Sequence, residues 1–148
     1  MILNKQTKVR LAKRPLREFL HKAQRELQIA DAEIAVAFVS DREIARWNEQ
    51  YRGKKGPTDV LSFSAVAGAK RDVTEGKNGA TAKLILGDIA IAPETAKRYA
   101  RKNGRTLEKE LRVLILHGVL HLMGYDHESD HGQMNRIEQR LRRRLGIA

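Results

Sequence analysis

Residues 117–127 read HGVLHLMGYDH, with histidines at 117, 121 and 127 and Gly124 between the second and third. The stretch closes a longer run, Leu107 to Met123, that is apolar on nearly all sides. A helix of that kind has no face to give to water, so the run predicts the central, buried helix of the fold. Thr106 precedes it as a cap, and Glu108 and Glu110 complement the positive end of its dipole. His117 and His121 lie four residues apart and project from one face about a turn apart, as two ligands of one ion require. Gly124 suits the left-handed turn that ends a helix, which would fold the chain back and bring His127 to the same point.

Working outward from this helix, the remaining elements have simple signatures. Pro15 to about Leu27 is apolar at 16, 19, 20, 23 and 27, the period of an amphipathic helix with proline in its tolerated first turn. EIAVAFVS (33–40), DVLSFS (59–64) and KLILGDIAIA (83–92) are short, apolar and partly β-branched, and predict strands. Ser40 or Asp41 caps a helix from about 42 to 51, with Ile44, Ala45, Trp47 and Asn48 near one face. RGKKGP (52–57) is a Gly/Pro loop, and GAKRDVTEGKNGAT (68–81), polar and without an apolar period, predicts a mobile hairpin loop. Pro93 opens a helix to about Lys102, and a last helix runs from about Asp130 to Leu145, with Gly146 as its stop. The sum is an α+β domain over 1–148, a mixed sheet of about four strands packed against about five helices.

Three imidazoles with an open fourth position form the catalytic arrangement for zinc; structural sites are closed by a fourth protein ligand. Imidazole suits Zn2+ best, with nickel or copper open on ligand type alone. His131, four residues beyond His127, reads as a solvated histidine at the start of the last helix, His21 as a lone surface residue, and Met134 as core. Asp126 and Asp130 flank the third histidine; orienting an imidazole and capping a turn are both open to them. The histidine and glycine spacing is that of HExxHxxGxxH metalloproteases, but Gly118 stands where their general base, a glutamate, is required. Two readings of Gly118 stay open, close packing of the helix on the sheet and room for a bulky substrate. Either way peptide hydrolysis of that type is demoted, whereas a metal alone can lower the pKa of water to ~7.

Charge points to the substrate. Lys and Arg number 29 against 18 Asp and Glu, a net charge of +11. Neutralising phosphates releases condensed counterions, so a nucleic-acid partner explains the excess better than a surface kept soluble by self-repulsion. There are no cysteines, which removes disulfides and thiolate metal sites. The N-terminal stretch lacks the apolar core of a signal peptide and no run approaches a membrane span, so the cytoplasm is the expected compartment.

On HGVLHLMGYDH, together with YRGKKGPTDVLSF (51–63) and LGDIAIAPETA (86–96), the chain resembles the YbeY family of metal-dependent endoribonucleases from about Ile34 to Leu145. The resemblance implies a zincin-like fold, one zinc held by His117, His121 and His127, and an important arginine at Arg52. It also implies single-stranded RNA as substrate, and ribosomal RNA maturation at the small-subunit 3′ end and ribosome quality control as context. Lys55 stands where the family commonly has an acidic residue, Ser64 where it has proline, and His131 with Gly132 interrupts a usually acidic stretch. The Arg52 guanidinium is a rigid fork of donors that matches phosphate oxygens. Lys54 and Lys55 beside it are candidates to guide the RNA backbone. The rival functions are a metallohydrolase of another class, such as a protease, and a non-enzymatic ribosome-associated protein with structural zinc.

Overall fold

The computed structural model describes residues 1–65, 84–126 and 131–148. The predicted loop over 68–81 falls outside the described residues, as do His127 and Asp130. The element order is β1 (Ile2–Asn4), α1 (Lys13–Glu26), β2 (Glu33–Phe38), α2 (Asp41–Arg52), β3 (Val60–Ser64), β4 (Ile85–Ile91), α3 (Pro93–Lys102), α4 (Leu107–Leu122) and α5 (Gln133–Arg144). The α+β expectation holds, with a four-stranded sheet in the order β1-β2-β4-β3. Pairing is parallel for β1–β2 and β2–β4 and antiparallel for β3–β4, so the sheet is mixed.

Three differences from the sequence-based expectation have a clear local cause. The strand not assigned in advance is β1, three residues of which only Ile2 is buried. So short a run carries no alternation to read; its register comes from pairing with Val36, Ala37 and Phe38 of β2. Arg52 is the last residue of α2 rather than the first of a loop, because Gly53 takes the left-handed conformation (φ +66°) and donates its N–H to the Glu49 carbonyl. Helix α5 starts at Gln133 because Gly132, at φ +85°, holds a left-handed conformation that a helix interior does not admit.

Period-two alternation gives the sheet two different faces. Ile34, Val36 and Phe38 of β2 and Ile89 and Ile91 of β4 join the main core with α1, α4 and α5. The opposite face carries Ala37, Leu61, Phe63 and Ala90, packed with Ile44 and Trp47 of α2 in a smaller cluster. Helix α4 is the centre of the main core, with Leu111, Ile115, Leu116, Val119 and Leu120 almost wholly buried. Its Thr106 cap accepts the Lys109 N–H at 3.2 Å.

Gly118 brings α4 against β4. A methyl group there would meet the Ile89 side chain at 2.8 to 3.1 Å, closer than carbon atoms pack, and Ile89 has no exposed surface to retreat into. Of the two readings of this glycine, close packing on the sheet is the one the geometry supports.

Candidate metal and nucleic-acid site

Helix α4 ends in a Schellman motif: Gly124 (φ +100°) donates to the His121 carbonyl at 3.0 Å, and Tyr125 donates to the Leu120 carbonyl at 3.1 Å. The last turn of α4 is thus capped. Nε2 of His121, in this turn, lies 3.0 Å from Nε2 of His117 in the turn before it, and the two rings meet edge to face with centroids 4.5 Å apart. Two imidazole nitrogens sharing a tetrahedral zinc stand about 3.3 Å apart, from the usual Zn–N bond lengths. The pair therefore fits one ion with little adjustment.

Behind His117 stands a carboxylate that the sequence reading missed. Glu138 of α5 places Oε1 2.9 Å from His117 Nδ1, and its Oε2 accepts from Arg142 at 3.4 Å. Glu138 is only 4% exposed. A carboxylate in its ionised form only accepts, so this contact suits a proton on Nδ1, the tautomer that leaves Nε2 with a lone pair for a cation. This is the carboxylate–histidine arrangement that orients metal-binding imidazoles. A signal existed in the sequence: Glu138 interrupts the apolar stripe Met134, Ile137 and Leu141 of α5, continued by Leu145 at its C-cap, and an acid on such a stripe calls for a buried partner.

Among the described residues no group of three or more His, Cys, Asp or Glu side chains closes on one point. The expected third ligand, His127, lies outside those residues. The pair looks onto a cleft of about 690 Å³ whose far wall is β3 and whose rim includes Asp126, Tyr51 and Arg52. Arg52 is exposed at the end of α2 and reaches this cleft; Lys54 and Lys55 are exposed in the following loop and do not line it. His131 and His21 are exposed, and Met134 is wholly buried. No helix among the described residues is long and apolar enough to cross a membrane.

Comparison with known proteins agrees over nearly the whole length. The family model for Endoribonuclease YbeY matches residues 1–146. The chain is 40% identical over 121 residues to Endoribonuclease YbeY of Heliobacterium modesticaldum, covering 80% of this chain and 73% of that one. It is 37% identical over 147 residues to Endoribonuclease YbeY of Koribacter versatilis, covering 99% and 86%. The solution structure of TM1509 from Thermotoga maritima superimposes with a TM-score of 0.63 at 30% identity, covering 98% of this chain and 89% of that one.

Proposed function

The chain belongs to the Endoribonuclease YbeY family, and from that premise we propose that it is a zinc-dependent endoribonuclease of single-stranded RNA. Its substrate on this reading is ribosomal RNA, cut near the small-subunit 3′ end during maturation in the cytoplasm and in ribosome quality control.

The observation that carries the proposal is one cleft holding both a converging imidazole pair and the Arg52 guanidinium. Each residue then has a task. His117 and His121, with His127 as third ligand, hold the ion. Glu138 keeps the His117 proton on Nδ1 and the ring in place. A zinc bound there supplies Lewis acidity toward a phosphate oxygen and lowers the pKa of water to ~7. Arg52 offers paired N–H donors to the scissile phosphate and stabilises the charge that develops as it is attacked. Lys54 and Lys55, outside the cleft, act on neighbouring phosphates and guide the backbone toward it. The basic surface as a whole draws in the polyanion.

Metal analysis of the purified protein and of His117→Ala, run beside an RNA cleavage assay with and without chelator, tests this reading. One zinc per chain, lost in the variant, and cleavage abolished by chelator are expected. Cleavage that ignores both chelator and variant overturns it. Casein in a parallel arm separates a protease from a nuclease. Products ending in a 2′,3′-cyclic phosphate identify the RNA 2′-hydroxyl as nucleophile; simple terminal phosphates identify water.

A further inference from the structure

The face of the sheet turned away from α4 holds a second hollow, of about 360 Å³, that the chemistry above does not use. Its floor is made by alanines, Ala35 and Ala37 of β2 and Ala90 of β4, where larger side chains would have filled the space. Its wall is aromatic. Phe63 meets Tyr51 edge to face at 5.4 Å and Trp47 edge to face at 6.2 Å. Tyr51 is 62% exposed, so much of this large ring is open to solvent.

Tyr51 and Phe63 line this hollow and the histidine cleft alike, so the two form one continuous surface with an aromatic ridge between them. Arg52, the next residue after Tyr51, stands on the cleft side of that ridge. Asp88, exposed on β4 and paired in register with Phe63, sits on the rim with Lys5. A carboxylate there repels a phosphate but accepts hydrogen bonds from the amino and imino groups of a base. The floor, wall and rim together suit a nucleobase rather than the backbone.

We propose that this hollow is a base-stacking subsite: an unpaired nucleobase next to the scissile phosphate leaves the cleft over the ridge and stacks against Tyr51 and Phe63 on the alanine floor. The assignment rests on the endoribonuclease reading and extends it to how single strands are chosen. A base locked in a duplex cannot turn out over the ridge, and ring stacking is sequence-tolerant because every base has a π-face.

Trp47 is the only tryptophan in the chain, so its fluorescence reports on the hollow directly. The whole protein is titrated with a short single-stranded oligoadenylate and with an abasic oligomer of the same length and charge. Quenching by the first and little by the second is expected. Tyr51→Ala weakens oligoadenylate binding roughly tenfold, from the usual contribution of one stacked base. Tyr51→Phe, which keeps the ring, stays within about twofold of wild type on the same scale. Equal affinity for the abasic strand, or a Tyr51→Ala variant that binds like wild type, overturns the subsite while leaving RNA cleavage standing. Failure of the wild type to bind or cut single-stranded RNA removes both readings. A Trp47 signal that ignores RNA and shifts with protein concentration makes the hollow a protein contact instead, and also overturns the subsite.

Discussion

The Glu138 carboxylate lies 2.9 Å from Nδ1 of His117 across 21 residues of sequence, joining the last helix to the central one. The contact joins α5 to the candidate site and, on the proposed reading, holds the His117 proton on Nδ1.

Glu138→Gln keeps the shape and removes the charge. Losing such a partner commonly costs about 10- to 100-fold in metal affinity. Zinc competition against a chelator of known affinity measures it. An unchanged zinc affinity, with thermal unfolding also unchanged, would leave Glu138 with no role at the metal.

Binding of an ion to the folded state alone must stabilise the protein. Zinc at a hundredfold its dissociation constant contributes about 2.7 kcal/mol, which for a chain of this size raises Tm by roughly 5 to 10 °C. His117→Ala and His121→Ala abolish the shift while retaining the helical circular dichroism of the wild type. A full zinc-dependent rise in either variant contradicts a shared ion.

Arg52→Lys preserves the charge and loses the fork. A drop in kcat of about tenfold or more, with RNA affinity and its salt dependence nearly unchanged, is the expected split for donors aimed at a developing charge. If affinity falls and kcat does not, Arg52 is only a phosphate anchor.

Gly118→Ala forces a methyl group into Ile89. Overpacking of this kind costs about 1 to 3 kcal/mol, against which alanine's better helix propensity returns up to ~1. Gly87→Ala should cost more. At φ +143° its added methyl runs into the Phe63 carbonyl, which is backbone and cannot rotate away. Urea midpoints rank the two, and Ile89→Val, which deletes the nearest methyl, should partly rescue the first and not the second. Equal rescue would remove the steric explanation.

Much of this was legible in the sequence because it is local. The α4 pattern, the Thr106 cap and the Gly124 stop lie within a few residues of what they control, and so does the spacing that brings His117 and His121 together. What was not legible depends on distant partners. Strand β1 exists through pairing with residues 34 positions away. Glu138 reads as one more acid in a charged helix until α5 packs on α4, although its place on the apolar stripe marks it. The C-terminal end of α2 falls one residue beyond the sequence-based expectation because Gly53, assigned to a loop, serves as the helix cap that carries Arg52 to the cleft's edge.

The glycine at 118 has an effect that reaches past packing. By letting α4 rest directly on Ile89, a wholly buried residue of the inner strand β4, it ties the turns that carry His117 and His121 to the sheet. On the proposed reading an ion would then meet an imidazole pair already set in place, and a larger side chain at 118 would disturb that pair without altering either histidine.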